Sequence, residues 1–227
     1  MQLIDADKAQ HGLTITAKSQ TGGKGQRGKT WTDAPCQSLL MTIITTPAQA
    51  INEQFSFNAS VAFSIVKVLQ YLYNSPGIYI KWPNDIIVND KKAGGILIEN
   101  VLRGSLWAYS VIGLGLNVKQ DEFPQELPYA ISLKMALGTD FDIGYLATTI
   151  RDGILSETAA LRTAEKRMSL YNGFLYKKGM QQGFSDANNK WDATVQQVHT
   201  DGTLEVLLAD GAKAFYHHGQ VLWDWGG

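Results

Sequence analysis

The chain is 227 residues long, 44% hydrophobic and 18% charged, with a formal net charge of −1. That composition fits one large globular domain with room for a small appendage, and the near-neutral balance argues against wholesale nucleic-acid binding, which needs a basic face to displace counterions. Cys36 is the only cysteine, so an internal disulfide is excluded and a reducing compartment fits.

In chain order, residues 1–11 read as the tail of a helix, and the first eight lack the charged and apolar segments of a signal peptide. A cytoplasmic, soluble protein is expected. Leu13-Thr14-Ile15-Thr16-Ala17 alternates β-branched residues and predicts a strand. It leads into Gly22-Gly23-Lys24-Gly25-Gln26-Arg27-Gly28-Lys29-Thr30-Trp31. Gly23 through Thr30 satisfies G-x-x-x-x-G-K-[ST], and Gly23, Gly25 and Gly28 satisfy G-x-G-x-x-G. Both motifs need a helix opening at the end of the loop, because its N-terminus supplies the dipole and the free N–H groups. Here Pro35 follows within five residues and residues 39–45 have strand composition. The P-loop and the dinucleotide fold are therefore rejected. A glycine loop between two strands can still wrap a phosphate with its own N–H groups, and Lys24, Arg27 and Lys29 make this one cationic. A mobile lid spanning residues 20–30 is expected, set against the plain alternative of a flexible surface hairpin.

A helix over residues 54–73 carries Phe55, Ala59, Ala62, Phe63, Val66 and Leu69 at helical spacing, and its scattered polar residues mark it as a core helix, not a membrane span. A β-rich block follows at 78–82, 86–88, 93–101 and 106–116, with Asn89-Asp90 as one of its turns. Asp142 predicts the N-cap of a second helix whose apolar face holds Ile143, Leu146, Ala147, Ile150, Ile154, Leu155 and Leu161, and a third helix is expected over 165–177. Residues 191–223 read as short strands joined at Asp201-Gly202 and Asp210-Gly211. The domain division is placed at 1–176 and 177–227. Strands followed by helices, without strict alternation, argue an α+β fold with a mixed or antiparallel sheet. His217-His218 reads as a surface pair, since adjacent strand residues face opposite ways, and Trp223-Asp224-Trp225 as barrel packing or an end folded against the core.

Two further stretches resist a packing explanation. Lys81-Trp82-Pro83-Asn84-Asp85 mixes a cation, an aromatic, a proline and an Asn-Asp pair between apolar strands, with Lys92-Ala93-Gly94-Gly95-Ile96-Leu97-Ile98-Glu99 after it. A Pro-Asn-Asp turn with an ordinary hairpin lysine is the plain alternative. Gly113-Leu114-Gly115-Leu116-Asn117 places glycines inside a strand, which marks close approach by a ligand or another backbone, or else a bulge.

Together these stretches resemble the catalytic core of biotin protein ligases: a Gln followed by G-R-G-R-x-G-x-x-W, then K-W-P-N-D, K-x-x-G-I-L-x-E and G-x-G-x-N, with a small C-terminal barrel. The resemblance spans nearly the whole chain and rests most on K-W-P-N-D with K-x-x-G-I-L-x-E. It implies a class II aminoacyl-tRNA synthetase-like catalytic domain and an SH3-like barrel. It implies ATP-dependent formation of biotinyl-5′-AMP with Mg²⁺, then transfer to one lysine of a biotin carboxyl carrier domain such as that of acetyl-CoA carboxylase. By resemblance Lys92 reaches the biotin carboxylate and the α-phosphate, and Asp85 lies near the incoming lysine. Gln20, Gly23, Lys24, Gly95, Gly113 and Gly115 join Lys92 in holding biotin. Lys24, Gly25, Gln26, Arg27, Gly28, Trp31, Asn84 and Asn117 hold the nucleotide. No metal ligands are assigned. Neither nucleic acid nor a membrane is expected as a partner, and the chain is expected as a monomer or homodimer.

The sequence departs from the pattern at Lys24 and Gln26, where Arg is usual, and at Ser38, where Asn is common. Lysine lacks the planar fork of arginine, so contacts there differ. The S-T-N motif that precedes the glycine loop in the family is absent from this sequence, which leads one to expect a truncated start and an incomplete biotin pocket. The winged-helix segment of some members is also absent, so a repressor role is not expected. The rivals are a lipoate or octanoate ligase of the same superfamily, whose transferase form would use a nucleophilic cysteine, and an inactive biotin- or nucleotide-binding module.

Overall fold

The computed structural model describes residues 1–225 apart from Asp7, Lys29 and Thr32, and the side chains of Gln2, Asp5 and Arg27 also lie outside the described set. A four-residue helix α1 (Gln2–Asp5) precedes β1 (Thr14–Ala17), and the glycine loop forms a small hairpin of β2 (Gly23–Lys24) and β3 (Thr30–Trp31) around a 3-10 turn at Gln26–Gly28. β4 (Ser38–Thr45) leads to α2 (Gln54–Tyr73), then to β5 (Ile78–Lys81), β6 (Asp85–Val88), β7 (Lys91–Arg103) and β8 (Leu106–Asn117). Helices α3 (Leu133–Leu137), α4 (Ile143–Ala159) and α5 (Ala164–Gly173) follow. The C-terminal part holds β9 (Gln181–Ser185), β10 (Lys190–Val198), β11 (Leu204–Leu208), β12 (Lys213–Tyr216) and β13 (Leu222–Trp223).

The first sheet has the order β1-β4-β8-β7-β6-β5 with every neighbour antiparallel. Its odd register positions Leu39, Met41 and Ile43 alternate with a second face, and with Ile96, Ile112 and Leu114 they are buried in the main core. α2 packs on this sheet and against α4 and α5. By length and hydropathy α2 is long and apolar enough to cross a membrane, but Val61, Ile65, Val66 and Leu69 are wholly buried in the core. Asn74 ends it in the left-handed conformation, its N–H returning to the carbonyl of Gln70.

Three helix expectations need correction. The first helix ends at Asp5 and residues 8–11 are not helical. Leu161 is fully exposed, because Ala160 turns extended and α4 stops at Ala159. The third helix ends at Gly173, not near 177. The chain there is drawn off to pair with β5: Ile80 N–H donates to the Phe174 carbonyl at 2.8 Å and Tyr176 N–H to the Ile80 carbonyl at 2.8 Å. A ladder partner at an open sheet edge outcompeted one more helical turn.

The second sheet, β12-β11-β10-β9-β13, is antiparallel throughout. Among the contacts that tie it to the first part of the chain are the following. Asn172 on α5 uses both ends of its amide on the backbone of Val198, at 2.8 Å each. Trp82 Nε1 donates to the Gly202 carbonyl at 2.9 Å. Gly202 itself, at φ +91°, lies so near the Phe55 ring that a Cβ would meet Cδ2 at 2.5 Å. Only glycine satisfies both that dihedral and that contact.

Candidate active site

The face of the first sheet away from α2 is the floor of a cavity of about 1120 Å³. Its construction follows from register. Asp85 pairs with Gly95, Gly95 with Gly115 and Gly115 with Leu40, so one row crosses four strands with two glycines at its centre. The next row runs Leu97–Gly113–Thr42. Because paired residues share a face, Gly95, Gly113 and Gly115 leave a trough where side chains would otherwise stand. All three line the cavity.

Lys92 reaches this floor through a β-bulge. Ile86 pairs with Gly94 but Ile87 pairs with Lys92, so Ala93 is the extra residue. In an unbroken ladder Lys92 would oppose Val88 and point to the core side; a one-residue offset turns it to the face of Asp85. Its ammonium stands 2.6 Å from Asp85 Oδ1, with the two side chains 35% and 24% exposed. The backbone of Lys92 is gripped as well: its N–H donates to the Tyr129 carbonyl at 2.7 Å, and its carbonyl accepts from Ile131 N–H at 3.0 Å. The pair is thus held on a rigid ladder and remains open to the cavity.

The Lys81–Asp85 stretch distributes its duties one residue at a time. Lys81, buried at 4% exposure, donates to the Trp223 carbonyl at 2.9 Å and the Asp224 carbonyl at 3.4 Å. Trp82 holds the turn at Gly202, and the wholly buried Tyr171 donates its hydroxyl to the Pro83 carbonyl at 3.0 Å. Burial, with the Asp85 charge adding to it, pushes the Tyr171 phenol far above its ordinary range, so it stays a donor. Asn84 faces the cavity, yet its amide nitrogen donates to the Ile96 carbonyl and its own carbonyl accepts from Ile96 N–H at 3.1 Å. Only Asp85 turns toward the lysine.

The glycine hairpin covers the trough from above. Gln20, Lys24, Gly25, Gln26 and Trp31 line the cavity, whereas Gly23 and Gly28 stand outside its lining; the side chain of Arg27 lies outside the described residues. Gly23 nonetheless has a steric role, since a Cβ there would meet the Trp31 carbonyl at 2.5 Å and Gln20 Oε1 at 2.8 Å. The Trp31 indole rests on Gly115: a Cβ would approach its Cε2 to 2.7 Å. Two lid atoms, Trp31 Nε1 and Gln26 Oε1, are buried without a hydrogen-bond partner. A ligand presenting one acceptor and one donor would complete them. Asn117 is 5% exposed, outside the cavity lining, and donates to the Ile131 carbonyl at 3.3 Å. Ser38 is buried and accepts from Gln120 Nε2 at 2.7 Å, which supplies the amide missing from its own position.

Two cavity residues carried no signal in the sequence: Tyr129 lies in the polar stretch after β8 and Lys190 opens β10. His218, read as one of a surface pair, is exposed and also lines the cavity, edge-on to Trp82 at 5.9 Å. His217 turns the other way, toward Thr203. The tail residues Trp223, Asp224 and Trp225 also reach the cavity. Among the described residues no group of three or more His, Cys, Asp or Glu is placed to hold a metal. Cys36 is exposed and outside the lining.

Comparisons with known proteins agree with this arrangement. Residues 2–117 match the Biotin/lipoate A/B protein ligase family. The chain is 30% identical over 208 residues to the bifunctional ligase/repressor BirA of Bacillus subtilis, covering 88% of this chain and 57% of that protein. It is 30% identical over 114 residues to the biotin–[acetyl-CoA-carboxylase] ligase of Paracoccus denitrificans, covering 46% of this chain and 43% of that one. The chain thus spans little more than half the length of the Bacillus BirA proteins it matches. The biotin protein ligase of Aquifex aeolicus, solved with biotin and ATP, superposes with a TM-score of 0.80 at 20% identity, covering 96% of this chain and 91% of that one. The Leishmania major biotin protein ligase with biotinyl-5-AMP gives 0.61 at 22% identity, covering 90% and 88%. With two-sheet architecture, glycine floor and family match in accord, the chain belongs to the biotin/lipoate A/B protein ligase family.

Proposed function

We propose that this chain is an ATP-dependent biotin protein ligase that forms biotinyl-5′-AMP and passes the biotinyl group to a lysine of a biotin carboxyl carrier protein. The observation that carries the reading is the Lys92–Asp85 pair, fixed 2.6 Å apart at the end of a glycine-floored trough. The named activities of the BirA and Paracoccus relatives, and the biotin and ATP in the Aquifex structure, support it.

The chemistry asks a carboxylate oxygen to attack the α-phosphorus while pyrophosphate leaves, although both partners are anions. The Lys92 ammonium, placed between them, favours the transition state in which their charges converge. Gly95, Gly113 and Gly115 leave room for a compact bicyclic ring against the strand backbones. Lys24 and the N–H groups of the lid face the phosphates, and the orphaned Trp31 Nε1 and Gln26 Oε1 are available to the nucleobase. Mg²⁺ would enter with ATP and would neutralise phosphate charge there; among the described residues no group of three or more His, Cys, Asp or Glu is placed to hold a metal. In the second half-reaction the acceptor amine attacks the acyl carbon and AMP departs. Asp85 then orients that amine or accepts its proton.

The lipoate alternative and the octanoyl-transfer alternative differ in their demands. The latter needs a cysteine at the reacting carbonyl, and Cys36 stands away from the cavity. The test is mass spectrometry of a carrier domain incubated with this chain, ATP, Mg²⁺ and biotin, with pyrophosphate release compared between biotin and lipoate. Biotin-dependent release with a +biotinyl mass on one lysine is expected, and Lys92→Ala should lower the rate by on the order of a hundredfold or more with folding intact. Release with lipoate alone, or a fully active Lys92→Ala, refutes the assignment.

A further inference from the structure

The chain does not stay with the second sheet. After β13 it crosses back to the first sheet and becomes part of the cavity wall. Lys81 holds the carbonyls of Trp223 and Asp224 with its ammonium, which also lies 3.6 Å from the centroid of the Trp225 ring. On its other side Trp225 stacks on Tyr129, with centroids 5.5 Å apart and planes 16° from parallel. The carbonyl of Tyr129 accepts the Lys92 N–H. A continuous run of contacts therefore links Lys81, the tail, Tyr129 and the backbone of Lys92. Tyr129, Trp225, Lys92 and Asp85 line the same cavity.

We infer that Trp225 is a positioning residue that walls the reacting centre from water, and that Lys81 is the latch that keeps it there. This rests on the ligase reading above. Tyr129 keeps 43% exposure even with the indole stacked on it, so one face of its ring is covered by Trp225 and the two rings together make the apolar wall on the Lys92 side of the cavity. Any acyl adenylate formed beside Lys92 faces a competing reaction. Water adds to the acyl carbon, the acyl–oxygen bond to AMP breaks, and the biotin carboxylate, the AMP dianion and two protons are released. Keeping water out favours the amine as nucleophile. A cation over the indole face and two carbonyl acceptors fix the plate at low entropic cost.

The measurement is the ratio of AMP released to biotin transferred by this chain with a carrier domain, followed in the parent, Trp225→Ala, Trp225→Phe and Lys81→Met. Trp225→Ala and Lys81→Met should raise that ratio by about threefold or more, and Trp225→Phe should return it close to the parent's value. A merely structural role lowers both products together and leaves the ratio alone. Should Trp225→Ala precipitate, Trp225→Leu keeps apolar bulk without the flat face and is held to the same expectation. A parental ratio in the alanine or leucine variant overturns the inference whatever its rate. A parent that makes no biotin-dependent AMP sinks the ligase reading itself and this inference with it, so the two failures are told apart by the parent alone.

Discussion

Gly94 and Gly115 sit one register step apart, and a single methyl at each meets obstacles of different kinds. At Gly94 a Cβ would stand 2.8 Å from the Gly115 carbonyl oxygen and 3.0 Å from Leu116 Cδ1. At Gly115 it would stand 2.7 Å from Trp31 Cε2 and 3.0 Å from Cδ2 and Cζ2. Relaxed contacts between carbons lie near 3.5–4.0 Å, so each substitution demands a movement of roughly 1 Å. For Gly94→Ala the obstacle is main chain on β8, hydrogen-bonded to β4 on one side and β7 on the other. It cannot retreat, and the strain of an overpacked core site, about 1–3 kcal/mol, should appear as lost stability. For Gly115→Ala the obstacle is a ring on a hairpin whose strands are two residues each. The hairpin can lift, so folding should lose under about 1 kcal/mol, while the lid no longer seats on the floor. Ligand affinity should then fall by about tenfold, or about 1.4 kcal/mol. Urea unfolding with an unchanged m-value measures the first effect, and calorimetric titration with biotin and ATP the second. Equal destabilisation by the two substitutions, or a Gly115→Ala protein with parental affinities for both ligands, would refute the reasoning.

Asn172→Ala should strip Val198 of both its amide partners; two buried backbone groups left unmade cost about 2 kcal/mol or more, and trypsin should cut faster at Lys177 or Lys178, between the sheets. Glu205 is buried in the second sheet with Lys213 at 2.7 Å, Gln197 at 2.9 Å and His199 at 2.8 Å. Chiefly through the Lys213 and Gln197 hydrogen bonds its carboxyl is lowered from 4.5 to about 2. A carboxyl depressed on folding binds more protons when unfolded, so its contribution is complete above pH 4.5 and fades as pH falls toward 2. Glu205→Gln should therefore lower stability by about 1.5–3 kcal/mol at pH 7, with the gap from the parent closing across that acid window in parallel denaturation series. A constant gap down to pH 2 would show that the charge plays no part.

The local sequence carried a great deal. Apolar spacing of 3.6 residues and β-branched alternation placed α2, α4, β4 and the β5–β8 block near their observed limits, since those signals depend on near neighbours. Lys81–Asp85, Lys92–Glu99 and Gly113–Asn117 also marked themselves, because cations, amides and glycines inside apolar strands have poor packing reasons to be there. What local spacing could not say is which face Lys92 takes: that turns on one extra residue at Ala93, visible only when β6 and β7 are paired. The same holds for Trp31 resting on Gly115, for the Asn84 amide turned to Ile96, and for Trp225 arriving beside Tyr129 from the far end of the chain. Composition and period fix a residue's own element and the side it shows, whereas a register offset or a contact across a hundred residues is decided by which distant segments bury most together without leaving polar groups unpaired.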